Sequence, residues 1–286
     1  MRRLTEPLGD THGVYFDAAQ CLVSQRSRFQ LIEVFSTAVV GKLMRLDGAN
    51  MLSERDEFFY HENLIHPAAI AHPEPRNVLI VGGGDGGAAE ELLKHASIER
   101  CTLCEIDRAV IDVARAHFSA IHRDVFDDAR LQIHIGDGED FVRAAHDAFD
   151  LIYLDVTDPM TDAAGAAVGL YTEAFYAQCR NALRADGALV LHIGSAFSHP
   201  QRVRESLRNL RAVFRFVTAY FVHIPIYGAT WGFAYASDAI DLSCVSETEV
   251  ASRLEARAIG DRQYFNAATF KAMQALPEYV KQLIQA

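Results

Sequence analysis

Four acids stand where apolar runs end: Asp85, Glu105, Asp137 and Asp155. "NVLIVGG" opens into Gly82-Gly83-Gly84-Asp85-Gly86-Gly87, and "RCTLCEID" carries Glu105. "LQIHIGDG" carries Asp137 and Gly138, and "FDLIYLDV" carries Asp155. Acids so placed can accept hydrogen bonds from ribose hydroxyls or pair with cations. Glu105 follows Gly84 by 21 positions, the separation expected of a ribose-binding acid after a glycine turn. Turn and acid together suit dinucleotides and adenosyl-sulfonium donors alike. The plainer alternative is a set of tight turns with helix-capping acids. Asp85 separates the ligand classes. A pyrophosphate beside that carboxylate would be repelled, whereas a donor with a positive arm would be favoured.

These groups need a scaffold, and its pattern is legible. From residue 77, strand-like and helix-like segments alternate: "NVLIVGG", "AAEELLKHA", "RCTLCEID", "RAVIDVARAHF", "LQIHIGDG", "FDLIYLDV". "TEAFYAQCRNALRADG" reads as a helix closed by a glycine cap, and "ALVLHIG" as the next strand. "FRFVTAYFVHIP" and "TWGFAYAS" read as a closing hairpin. The fold expected is α/β, a doubly wound Rossmann-like sheet of methyltransferase type. Ahead of it, "GVYFDA", "FQLIEVF", "GKLMRLDG" and "ANMLSE" predict a small antiparallel β-domain. The division expected is residues 1–62 for the β-domain and 63–286 for the catalytic domain. "RDEFFYHENLIHPAAIAH" has helical spacing, with Pro67 ending or kinking the helix.

Composition narrows the function. Half of the 286 residues are apolar and 23% are charged, as in a folded globular protein. The formal charge of −11 argues against a nucleic-acid partner and suits small cationic ligands. No apolar run is long enough for a membrane span, and no signal peptide is read. The five cysteines are odd in number and scattered, which fits a cytoplasmic protein. Cys101 and Cys104 have C-x-x-C spacing, but on a strand they face opposite ways. His61 and His66 are five apart, so they do not share a helix face. No metal site is expected.

"VLIVGGGDGG", "CEID", "IGDGEDF" and "LDVTDP", in that order, resemble the spermidine synthases, the polyamine aminopropyltransferases. "SRFQLIEVF", "LDG" and "SERDEFFYHENLIHPA" extend the resemblance upstream. It implies a donor, decarboxylated S-adenosylmethionine, acting as co-substrate with no other cofactor. It assigns the donor site to Gln30, Gly82, Gly84, Asp85, Glu105, Asp137 and Gly138. Gln30 and Asp85 would hold the tail, Glu105 the ribose, and Asp137 with Gly138 the adenine. Asp155 takes the catalytic position. Tyr60, His61, Asp158 and Tyr227 match the acceptor site. A homodimer or homotetramer is expected by the same resemblance.

The chain also departs from that pattern. "DPMTDAAGAAVGLYTEAFY" is longer than usual and rich in Ala and Gly, as a lid would be, and Asp162 within it could serve the far end of the acceptor. His192 and Ser195 stand near the point where common members carry a glutamine. "TWGFAYASD" and "RQYFNAATFKAM" look more like the thermospermine-synthase branch. The acceptor is therefore left open between putrescine, spermidine and agmatine. Two other readings stand beside transfer of an aminopropyl group: N-methylation of polyamines from S-adenosylmethionine, and polyamine binding by a dead site.

Overall fold

The computed structural model describes residues 2–9, 11–157 and 168–285. The first sheet is antiparallel, in the order β1 (Arg2–Pro7), β2 (Gly13–Arg26), β3 (Leu31–Thr37), β4 (Gly41–Leu46), β5 (Ala49–Ser53). Asp47 and Gly48, both with positive φ, close the two-residue β4–β5 hairpin, the geometry that matches strand twist. The first strand was not anticipated. Only Leu4 of "RRLTEP" is buried, so no alternation advertises it. Its pairing with β2, Leu4 opposite Phe16, supplies the order.

Helix α1 (Glu57–Ala71) follows, buried from His61 onward. It runs through Pro67 rather than ending there. A proline at that position leaves the carbonyl of Asn63 without its helical donor. The Tyr220 hydroxyl donates to that carbonyl instead, at 2.9 Å. A tertiary contact thus removes the penalty that the local sequence predicts.

The second sheet has seven strands: β6 (Asn77–Gly82), β7 (Arg100–Glu105), β8 (Leu131–Ile135), β9 (Phe149–Asp155), β10 (Leu183–Gly194), β11 (Phe216–Ile224) and β12 (Ala229–Ser237). Their order is β11-β12-β10-β9-β6-β7-β8. The five from β10 to β8 are parallel, and β12 runs antiparallel between β10 and β11. The direction of winding reverses between β6 and β9, which opens a crevice at their carboxyl ends.

The remaining helices are α2 (Gly87–Leu93), α3 (Arg108–His117), α4 (Ser119–His122), α5 (Gly138–Arg143), α6 (Glu173–Ala182), α7 (Pro200–Val213), α8 (Glu247–Ala256), α9 (Ala267–Ala272) and α10 (Glu278–Gln285). One apolar core joins α1, α2 and α8 to one face of the sheet and reaches Leu4 and Phe35 of the β-domain. A second core packs α6, α7 and α10 on the other face. Cys101 belongs to the first core and Cys104 to the second, as strand geometry requires. The helix expected to end in a glycine cap stops earlier, at Ala182. Leu183 is extended and pairs with Phe149, and Arg184 donates to Asp150 at 2.8 Å. "LRADG" therefore enters the strand, and Gly187 caps nothing.

Candidate active site

Gly82 sits opposite Asp155 where β6 and β9 end. Its φ is +83°, and any Cβ there would collide with the Asp155 carbonyl, so only glycine brings the two strand ends together. Gly83 then donates to that carbonyl at 2.8 Å. The glycine turn and Asp155 are one backbone unit.

A cavity of about 450 Å³ opens over this junction. Gln30, Gly82, Gly84, Asp85, Glu105, Asp137, Gly138 and Asp155 all line it, as do Tyr60, His61 and Tyr227. Asp158 and Asp162 lie outside the described residues.

Asp155 keeps Oδ2 out of solvent, with no hydrogen-bond partner among the described residues. Burial and the nearby charge of Asp85 push its carboxyl up to about 6, against the opposing pull of His61 and Tyr60. A carboxylate in this range is a better proton acceptor than one in water. The Tyr60 and Tyr227 phenols are driven well above their ordinary value, first by burial and then by Asp155, so both remain neutral.

Asp85 accepts the Gly87 N–H at 2.7 Å and lies 3.6 Å from His61 Nε2. It therefore steadies the start of α2 as well as facing the cavity. His61 is 2% exposed at its side chain, and Nδ1 meets Glu57 at 2.8 Å. Burial disfavours a charged ring, but Asp85, Glu57 and Asp155 outweigh it and raise His61 to about 10. That balance favours the imidazolium at neutral pH. His66 points elsewhere, to His95 at 3.0 Å and Glu91 at 3.0 Å.

Glu105 is buried at the end of β7 and is pushed up to about 7, chiefly by that burial. It accepts from Asp107 N at 2.8 Å. Gln30 donates to Asp107 at 3.1 Å, and Ser27 at 2.6 Å. Neither Asp107 nor Ser27 was singled out from the sequence. Asp107 stands in the quoted "CEID", where its capping of α3 was the available signal. Asp137 caps α5 through Glu139 N at 2.8 Å, and Gly138 packs on Val81.

The other side of the cavity is aromatic. Tyr227 meets Trp231 at 4.8 Å and Tyr60 at 6.3 Å between ring centres. His192 stacks on Trp231 at 6.0 Å, and its Nε2 lies 2.8 Å from the Val156 carbonyl and 2.9 Å from Tyr171 Oη. Such walls suit methylenes and, through ring faces, ammonium groups. Glu6 of β1 lines the same cavity and accepts from Asn50 N at 2.9 Å. It is the acid that sequence reasoning missed.

His61, Asp85 and Asp155 present ligand atoms within 4.8 Å of one another, close enough to share one cation. His72, Asp150 and Asp186 form a similar group at the opposite end of the sheet. There Asp150 is already committed to Arg76 N and Asn77 N, both at 2.7 Å, and to Arg184.

A family model described as "Spermine/spermidine synthase domain" matches residues 57–244. The sequence is 42% identical to the polyamine aminopropyltransferase of Nitrosomonas europaea, over 98% of this chain and 85% of that protein. It is 39% identical to the polyamine aminopropyltransferase of Aeropyrum pernix, over 87% of this chain and 74% of that one. A spermidine synthase solved in complex with the transition-state analogue AdoDATO has a TM-score of 0.93 and 33% identity, covering 99% of this chain and 95% of its own. The spermidine synthase from Thermotoga maritima has a TM-score of 0.91 and 32% identity, covering 100% and 94%.

Proposed function

This chain belongs to the spermine/spermidine synthase family and is a polyamine aminopropyltransferase, and we propose that it moves the aminopropyl group of decarboxylated S-adenosylmethionine onto putrescine or spermidine. One observation carries the assignment of roles. Asp155 holds a buried carboxylate oxygen, without a hydrogen bond among the described residues, at the strand switch, between acids on one side and aromatic walls on the other.

Glu105 receives the donor's ribose hydroxyls, and Asp137 with Gly138 borders the adenine. Asp85 and Gln30 face the aminopropyl tail, which ends in an ammonium. A carboxylate at the same place on S-adenosylmethionine would meet Asp85 as a like charge, which favours the decarboxylated donor. The acceptor lies along Tyr60, Tyr227 and Trp231, with Asp155 near the reacting amine and Glu6 farther away. His61 lines the site between these two regions, beside Asp85.

An alkylammonium has a pKa near ~10 and carries no lone pair when it arrives. Asp155 takes its proton. The freed amine attacks the aminopropyl carbon bound to sulfur, the C–N bond forms and the C–S bond breaks. Sulfur keeps the electron pair and leaves as neutral 5'-methylthioadenosine. The sulfonium is itself the activated leaving group, so the donor is a co-substrate and the transfer draws on no further cofactor.

In this reading, residues 1–62 wall the acceptor and 63–286 carry the chemistry, in a cytoplasmic homodimer or homotetramer. Among the described residues, no helix is long and apolar enough to cross a membrane. The test is incubation with either donor and putrescine, spermidine or agmatine in parallel. Release of 5'-methylthioadenosine from the decarboxylated donor supports the proposal. A methylated polyamine from S-adenosylmethionine, or no product from either donor, refutes it.

A further inference from the structure

Glu57 lies outside the cavity lining, yet it grips a residue at the centre of the site. Its Oε2 sits 2.8 Å from His61 Nδ1, one helical turn away, with the two side chains 9% and 2% exposed. The other ring nitrogen, Nε2, is 3.6 Å from Asp85 Oδ1. Gly87 packs so closely on the ring that a Cβ there would strike it. Three elements therefore converge: α1 through His61, the glycine turn through Asp85, and β9 through Asp155, with ligand atoms within 4.8 Å of one another.

We propose that Glu57 is a positioning residue for the transfer: it holds the His61 ring as a cationic spacer between Asp85 and Asp155, so that Asp155 stays ionised beside its neighbouring acid when the substrates arrive. This rests on the transfer reading above. Two carboxylates this close would otherwise tend to keep one proton between them. A carboxylate on Nδ1 fixes the ring's orientation and leaves Nε2–H on the side of Asp85. The charged groups that face the ring are Glu57 and Asp56 at the start of α1, Asp85 from the turn and Asp155 from β9; Tyr60 packs on its edge. The balance at Asp155 has the matching sign: burial and Asp85 raise it, and His61 draws it back. Neutralising Glu57 weakens the cation at His61 and lets Asp155 rise further.

The test uses the full-length enzyme and two variants, Glu57→Gln and Glu57→Asp. The amide oxygen of the first can still accept from Nδ1–H, so the ring is held while the charge is lost; the second keeps the charge. Without substrate, ¹⁵N spectra of labelled histidine, assigned with His61→Gln, follow the ring's titration. Wild-type His61 should remain an imidazolium beyond about pH 8, and in Glu57→Gln it should titrate at least ~1 unit lower. With substrates, the acid limb of kcat/KM should move up by ~0.5–1 unit in Glu57→Gln, a loss of roughly 2–6-fold near pH 6 that shrinks at alkaline pH. Glu57→Asp should return the limb towards wild type. A limb unchanged in Glu57→Gln, or a loss equal at every pH, overturns the proposal. So does a wild-type His61 that titrates near its ordinary value in an active enzyme. A wild type that transfers no aminopropyl group overturns the functional reading, and the ring titration still reports separately whether Glu57 holds His61 charged.

Discussion

The backbone N–H of Gly83 donates to the carbonyl of Asp155 at 2.8 Å. That bond ties the donor turn to the proposed base, although 72 positions separate the two residues (155 − 83). In the proposed transfer, donor carbon and proton acceptor are therefore set by adjacent strand ends. Such positioning is worth most to a displacement, where a misplacement of about 1 Å can cost ~10²-fold.

Asp155→Asn should bind donor and lose turnover by ~10²-fold or more, because the amide keeps the shape but cannot take a proton. In the wild type at saturating donor, kcat/KM for the acceptor should rise with pH through about 6, where the Asp155 carboxyl ionises, and then level off. Single-turnover release of 5'-methylthioadenosine across pH checks both. Near-normal kcat in the variant would remove Asp155 from its role.

Asp85→Asn should weaken the decarboxylated donor and narrow its advantage over S-adenosylmethionine. Loss of one desolvated charge typically costs ~2–5 kcal/mol. Part of that cost will appear as stability, since Asp85 also holds Gly87 N and faces His61. Calorimetry with both ligands separates the effects: an unchanged affinity ratio contradicts the role of Asp85 in donor choice.

Donor affinity should increase as pH rises through about 7, where Glu105 ionises in the fold, because ribose hydroxyls donate to the charged form. The stability effect has the opposite sign. A carboxyl whose pKa is raised by folding favours the native state below its unfolded value and loses that contribution as pH climbs through the folded one. Bound donor should therefore raise Tm more at pH 8 than at pH 6. Equal shifts in a thermal-melt series would argue against ribose binding at Glu105.

Glu6→Gln should raise KM for spermidine more than for putrescine, since only the longer acceptor carries an ammonium far from the reacting end. We expect native enzyme to use spermidine at least as well as putrescine. A kcat/KM for spermidine lower by ~10²-fold, about 2.7 kcal/mol of discrimination, would exclude that preference.

Glu62→Gln should cost ~2–4 kcal/mol of stability. The fully buried carboxylate accepts from Gln263, Tyr264 and Phe265 N–H groups at 2.6, 2.9 and 2.6 Å, tying the C-terminal segment to α1. An amide presents hydrogens to some of those donors. Chemical denaturation reads the loss directly, and an unchanged midpoint would show that the segment is held by packing alone.

Local pattern carried much of this protein. Apolar runs alternating with helical periodicity specify a doubly wound sheet, because each run must be buried on both faces and each helix on one. Acids at the ends of those runs fall at the carboxyl edge, since a strand's end in sequence is also its end in space. Hence the glycine turn, Glu105, Asp137 and Asp155 were legible before any coordinate. Contacts between distant segments were not. Pro67 was read as ending or kinking the helix because its missing donor is local, while the hydroxyl that compensates comes from Tyr220 on β11. Glu6 was invisible because its strand has no alternating pattern and exists through pairing with β2. His61 was read as an acceptor contact, but the acids that raise its pKa against burial, Glu57, Asp85 and Asp155, come from three different elements and were not legible. Periodicity along a chain encodes which way a residue faces. It does not encode which charges from other elements it will meet there, and at this site those charges set the protonation of the groups that do the chemistry.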